Sequence, residues 1–342
     1  MVKSSRICFL SALAVAVSAT EVLVPKHLPT RELLRDAYTY SLEPVWTQNY
    51  ISSNSIRNLS NLIADIIGKS LTFRMRGTTA DQTYFHPELN VLAVALPNTT
   101  VTHTFNIINA WFEQWSSYFP EGTDFLYTLN LRVNSSAWEN AVQELQRLVY
   151  FHLGTNAEYS NHVPLPYEHK NESLQAGIQS LSYDRYLMAH VLASDKQQRF
   201  AQIPSANISE FSGYAIYASG TRHHEQPDKI VLIDLQIWNG TRGLSNPSTL
   251  STTDSLYHSS GQRPVRKVSM TTCWLTGTRL GVIRLQTPGT NAKSEISVFG
   301  LDFDPQTGVQ IGALRTEEIV VGGDGRICLK MQAAEAVLLY RK

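Results

Sequence analysis

The chain carries no excess of either charge, very little cysteine, and no apolar run long enough to cross a bilayer. Its 29 acidic residues balance 29 basic ones, for a formal net charge of +0. No cluster of Lys and Arg stands out. Nucleic-acid binders gain affinity from a basic face that displaces phosphate counterions, so no nucleic-acid partner is expected. The apolar stretch 7–17 falls short of the about 20 residues a hydrocarbon core requires, and no other segment is apolar enough to span. Of the three cysteines, only Cys273 and Cys328 lie outside the first 19 residues. No cofactor and no metal is expected.

What is present points outward from the cell. Lys3 and Arg6 precede the apolar stretch, and Val17-Ser18-Ala19 places small residues where a signal peptidase needs them. Residues 1–19 therefore read as a secretory signal peptide, which implies a secreted, extracellular protein with no membrane attachment after cleavage. The acceptor pattern Asn-x-Ser/Thr recurs at Asn58, Asn98, Asn134, Asn171, Asn207 and Asn239, the expected glycosylation sites of an exported glycoprotein. In an oxidising compartment Cys273 and Cys328, both in strand-like sequence of one region, form a candidate disulfide.

With 342 residues and 43% hydrophobic composition, the chain can bury one large core or two ordinary ones. Its first half alternates strand and helix. Segments 21–25 and 38–43 read as strands. Ile56, Leu59, Leu62, Ile63, Ile66 and Ile67 recur at helical spacing, with Asn54 or Ser55 able to cap the start and Gly68 the end. Strand 71–75, helix 105–118 and strand 125–131 follow. Trp111 and Trp115 resemble sugar-stacking platforms, but helical spacing marks them as core. Helix 134–147 then runs directly into strand 148–153, and a last helix is expected over 178–192. This alternation indicates a parallel sheet with covering helices. Beyond about residue 204 the pattern becomes short strands between Gly, Pro and polar turns: 214–217, 230–235, 265–270, 280–285, 296–299, 318–321, 327–331 and 336–340. Such spacing indicates an antiparallel β-sandwich, with a mobile loop at 244–262.

Several of these pieces resemble, in shared order, the fungal branch of glycoside hydrolase family 79, the β-glucuronidase and heparanase-like group. The strongest are GYAIY at Tyr214, IVLIDLQIW from Ile230, VIRLQTPGTNAKS from Val282, and the closing EEIVV, DGRICLKM and AAEAVLLY. LVPKHLP, YSLEPVW, LTFRMRGTTADQTYFHPE and FPEGTDFLYTLNLR resemble the family's entry strand and its first three barrel strands. YFHLGTNAEYSNHVP resembles its last barrel strand. A competing alignment equates HLGTNAE with the strand that bears the acid/base Glu, and there Asn156 stands in the acid's place.

The resemblance implies α/β plus all-β architecture: a signal peptide at 1–19, a β/α TIM-type barrel domain over 20–204 whose strand 21–25 joins the sandwich, and a β-sandwich over 205–342 able to fold alone. It also implies glucuronic-acid-containing glycans as partners, and Glu43, Arg74, Asp81, His152 and Tyr159 as substrate-side residues. His152 on a strand also reads as a core group, and Glu43 as an exposed strand-end charge. Arg76, Thr78, Ala80 and His162 depart from the family's usual Gly, Asn, Gln and Trp.

The barrel is incomplete in this reading, with strands ordered last, first, second, third, and its two exposed edges invite self-association. A retaining glycosidase needs two carboxyl groups about 5 to 5.5 Å apart, carried at the C-terminal ends of strands. Between Phe125 and Leu153 the only carboxylates are Glu139 and Glu144, both in the helix-like segment. No Gly-Asn-Glu or Gly-Glu-Thr sequence occurs anywhere, so no catalytic residue is assigned. Three readings stand: a degenerate hydrolase of β-glucuronidase type, with a carbohydrate-binding or structural role; a glycosidase using nonstandard carboxylates such as Glu43 and Glu158; and a truncated or misspliced form of an active enzyme.

Overall fold

The structure is a computed structural model describing residues 17–34, 39–42, 44, 47, 50, 52–75, 83–90, 93–96, 104–127, 129, 139–143, 183, 186–218, 226–240, 259, 261–290, 292 and 295–342. Its elements follow in chain order. The first part holds β1 (Val17–Leu23), β2 (Arg31–Leu33), β3 (Thr39–Leu42), α1 (Asn54–Ile67), β4 (Thr72–Met75), β5 (Thr83–Phe85), β6 (Ala93–Leu96), β7 (Thr104–Ile107), α2 (Asn109–Tyr118), β8 (Asp124–Tyr127) and α3 (Tyr186–Leu192). The second holds β9 (Gln198–Gln202), β10 (Phe211–Ala218), β11 (Lys229–Asp234), β12 (Val265–Thr271), β13 (Arg279–Gln286), β14 (Ser297–Val298), β15 (Leu301–Phe303), β16 (Gln310–Gly312), β17 (Glu317–Val320), β18 (Arg326–Gln332) and β19 (Ala336–Arg341).

In the first part, β3, β4 and β8 form a parallel sheet in that order, with Leu42, Met75 and Tyr127 in one register row. The strand order first, second, third is that of the sequence reading, whereas segment 148–153, the expected last strand, lies outside the described residues. Helix α1 buries Ile56, Leu59, Ile63 and Ile67 against the sheet. Its cap is Ser53, whose Oγ accepts from the Ile56 N–H, rather than the expected Asn54 or Ser55. Gly68 closes it at φ 72°, a left-handed backbone that glycine adopts at least cost. The expected helix 105–118 begins later. Residues 104–107 instead form β7, held between β5 and β6 in a small mixed sheet. Pairing on both edges there outweighs helix propensity. Trp111, Phe112 and Trp115 are buried core residues.

The second part is a two-sheet sandwich. A large sheet runs β16-β15-β14-β13-β19-β11-β10-β9-β2, and β17 pairs with β13. A small sheet runs β1-β12-β18. It is not wholly antiparallel, because β1 joins β12 in parallel register. The large sheet also takes in β2 and β9, from before residue 205. It is covered on both faces. Ile230, Leu232, Leu280, Val282, Val337 and Leu339 pack on Val268, Met270, Ile327 and Met331 of the small sheet. On the other side Ile216, Val231, Ile283 and Leu338 enter a second core with α1, α2, α3 and the parallel sheet. Double-sided burial explains why β11 and β19 read as near-continuous apolar runs rather than alternating ones.

Several polar ties cross between the parts, among them those made by Lys229 and Asn58. Lys229 Nζ on β11 donates to the carbonyls of His190 (2.7 Å), Val191 (2.9 Å) and Ala193 (2.5 Å), closing the C-terminal end of α3. Burial lowers this ammonium to about 8. Asn58 on α1 donates through Nδ2 to the Thr307 carbonyl at 2.8 Å.

Candidate functional site

Side chains along β3, β4 and β8 alternate between two faces. Tyr40, Leu42, Phe73, Met75, Phe125 and Tyr127 are buried toward the helices. Ser41, Arg74 and Leu126 share one register row on the opposite face, where Ser41 is exposed and Arg74 half-buried. That face would line the interior of a barrel. Of the substrate-side residues expected from the sequence, Arg74 is the one the structure places. Glu43, Asp81, His152 and Tyr159 lie outside the described residues.

Carboxylates are scarce on these strands. Among β3, β4 and β8 only Asp124 bears one, at the first residue of β8 and exposed. That is the N-terminal end of the strand, opposite to where barrel chemistry is built. Glu139 is exposed on the helical residues 139–143. The neighbouring Asn140 pins that helix to β5, accepting from the Phe85 N–H and donating to the Thr83 carbonyl at 3.2 Å. Glu144 lies outside the described residues.

The sandwich carries a concavity of about 600 Å³ that no sequence motif announced. Its floor is the outer face of the small sheet, with Glu21, Lys267, Ser269, Cys328 and Lys330, and its wall is Arg284 with Glu317 and Ile319. Arg284 is committed. It donates to both Glu317 oxygens (2.6 and 3.0 Å), to Glu335 at 2.9 Å and to the Lys330 carbonyl at 3.0 Å. The Glu317 hydrogen bonds raise its affinity for its proton, against desolvation. Lys267 and Lys330 stand directly opposite each other across β12 and β18. Like charges in that position repel, and neither lysine has an ion-pair partner among the described residues. Only the register of the two strands brings the lysines together, and β12 and β18 are far apart in sequence.

The candidate disulfide is not formed. Cys328 stands opposite Ser269 inside β12, whereas Cys273 lies past that strand's end, its Sγ 3.4 Å from the Val24 carbonyl. At a rise of about 3.3 Å per residue, that offset exceeds the Cα separation of about 7 Å a disulfide tolerates. Among the acceptor asparagines, Asn58 and Asn207 are exposed and Asn239 is half-buried, its N–H donating to Ser259 Oγ at 3.0 Å. Asn98, Asn134 and Asn171 lie outside the described residues.

The first part thus packs as a parallel β/α unit on the outer face of a two-sheet sandwich. Residues 213–338 match the family model of the Glycosyl hydrolase family 79 C-terminal beta domain. In fold the chain is similar to a 4-O-α-L-rhamnosyl-β-D-glucuronidase from Fusarium oxysporum 12S, at 12% identity over 94% of this chain and 100% of that one, with a TM-score of 0.69. The catalytic domain of a GH30 xylanase C from Talaromyces cellulolyticus aligns at 8% identity over 95% and 100% of the two chains, with a TM-score of 0.38. No curated protein matches the chain in sequence.

Proposed function

We propose that this is a secreted protein of glucuronidase type, directed at glucuronic-acid-containing glycans, that has lost catalysis. One observation carries the loss. The parallel strands bear no carboxylate at their described C-terminal ends, and Glu139, one of two candidates between Phe125 and Leu153, is exposed on a helix. Retaining hydrolysis requires an acid and a nucleophile about 5 to 5.5 Å apart across the scissile bond. Incubation of the secreted protein with an aryl β-glucuronide tests the reading. No release of the phenol above a heat-treated control is expected. Turnover abolished by Glu43→Gln or Glu158→Gln would overturn it in favour of nonstandard carboxylates. Reading the transcript across the codons for 144–150 separates true loss from altered splicing.

Lys267 and Lys330, which have no ion-pair partner among the described residues, favour a sugar-binding role for the sandwich. Two lysines directly opposite each other across β12 and β18 suit the carboxylate of a uronic acid, which would relieve their repulsion. Titration of the full chain with a glucuronate-terminated oligosaccharide is expected to show salt-sensitive binding that Lys330→Glu removes. Equal binding of the neutral glucose analogue would refute it.

A further inference from the structure

The leader's cleavage point can be read from β1. The pattern Val17-Ser18-Ala19 places the cut after Ala19, yet Val17 to Ala19 are the first three residues of a strand that pairs with β12 from Val17↔Val265 to Leu23↔Thr271. We propose that the leader is removed after Ala16, so that the mature chain begins at Val17. This inference rests on the secretion reading above and sharpens it.

Cutting after Ala19 would act on the fold in two ways. It would remove the partners of Val265, Arg266 and Lys267 and turn that half of β12 into an open sheet edge. It would also create an α-ammonium on Thr20, which is 7% exposed. Thr20 Oγ1 accepts from Arg266 Nη1 at 3.0 Å, and Arg266, 6% exposed, is paired with the buried Asp234 at 2.8 Å. An amine of pKa about 7.7 to 8.0 is largely charged at neutral pH. The carboxylate facing that cluster already serves the guanidinium. The new cation would sit on the residue whose Oγ1 accepts from Arg266, beside a guanidinium whose carboxylate partner is already committed.

The sequence supplies another cut. Ala14-Val15-Ala16 puts alanine at both positions the peptidase reads, a closer fit to the small-residue rule than a pattern with Val in one of them. The apolar segment 7–13 that remains is within the range of about 7 to 15 residues for such leaders. Hydrolysis there breaks the Ala16–Val17 amide, water giving its hydroxyl to the Ala16 carbonyl carbon and a proton to the Val17 nitrogen. Every β1 pair survives, and the new ammonium falls at the strand's first residue.

N-terminal sequencing and intact mass of the protein secreted from a eukaryotic host test this. A start at Val17 is expected, and a start at Thr20 overturns the inference while leaving secretion intact. An uncleaved chain retained in the cell overturns the secretion reading itself. Ala19 lies on the exposed face of β1, so Ala19→Tyr is expected to leave the Val17 start unchanged and Ala16→Tyr to abolish it. The reverse pattern refutes the proposal. Recombinant chains beginning at Val17 and at Thr20 provide an independent check. The shorter one is expected to melt at lower temperature, and equal midpoints count against the argument.

Discussion

His190 sets a pH dependence that can be worked from its surroundings. The imidazole sits on α3 with its ring edge-on to Tyr186 (4.9 Å) and Phe299 (5.0 Å), and its Nε2 is buried with no hydrogen-bond partner among the described residues. Burial, with the charge of Lys229 as the lesser cause, lowers it from 6.5 to about 4. The folded protein therefore resists a proton that the unfolded chain accepts. The associated stability is complete above pH 6.5, falls as pH drops through the window from 6.5 to 4, and is flat below. At about 1.36 kcal/mol per pKa unit the ceiling is about 3 kcal/mol. Partial exposure of the ring to solvent screening cuts that to about 1 to 2 kcal/mol. Urea unfolding of the native chain and of His190→Phe at pH 7.5, 5.5 and 4.5 reads this directly, since carboxylate titration is common to both. Phe keeps the aromatic contacts and removes the unsatisfied nitrogen, so at pH 7.5 the variant should match the native chain or exceed it by up to about 1 kcal/mol. Below pH 6.5 the gap should widen in the variant's favour. Parallel curves for the two proteins across that range would refute the reasoning.

Other expectations are as specific. Gly308 has φ +68°, and a Cβ there would lie 2.6 Å from the Ser55 carbonyl oxygen of α1. Gly308→Ala should cost about 2 to 3 kcal/mol in chemical denaturation, and a loss below about 0.5 kcal/mol would show that the loop does not dock as described. Arg266→Met leaves Asp234 charged, buried and unpaired and should cost about 3 to 5 kcal/mol. The double change with Asp234→Asn should cost clearly less. Thiol titration of the denatured, unreduced protein should find Cys273 and Cys328 both reactive, and their absence from the titration would mean that they pair.

Residues with one strong local signal were legible. The spacing of Ile56, Leu59, Ile63 and Ile67 marked α1, and Gly68 marked its end, because a left-handed C-cap has few alternatives. Segments 265–270 and 327–331 lie within β12 and β18, where one face is core and the other solvent. Short strands paired at a distance were not legible. Residues 83–85, 93–96 and 104–107 become strands only because they meet one another, and Phe105 was read into a helix for want of that contact. The concavity was hidden for the same reason. Lys267 and Lys330 face each other only through an antiparallel register that sequence distance conceals. On the parallel sheet, the order of β3, β4 and β8 can be read on both levels.

The sandwich looks self-sufficient in the sequence, yet the large sheet is two-sided and the structure argues otherwise. Residues 205–342 alone would uncover Ile216, Val231, Ile283, Val298, Phe303 and Leu338, all of which sit in the core shared with α1 and α3. Burying one such side chain is worth about 1.5 to 3 kcal/mol, so the loss is on the order of 10 kcal/mol, comparable with the whole stability of a domain. The fragment would also lack β1, exposing the edge of β12, and β9, exposing the edge of β10. It is expected to bind a hydrophobic dye and to unfold without a sharp transition, while the full chain unfolds cooperatively. A monomeric fragment with a transition as steep as the full chain's would show that the second core contributes little. The dependence runs in both directions, because Ile216, Val231 and Leu338 also complete the floor on which α3 rests. The first part of the chain is thus needed to cover the sheet, a role that does not depend on activity.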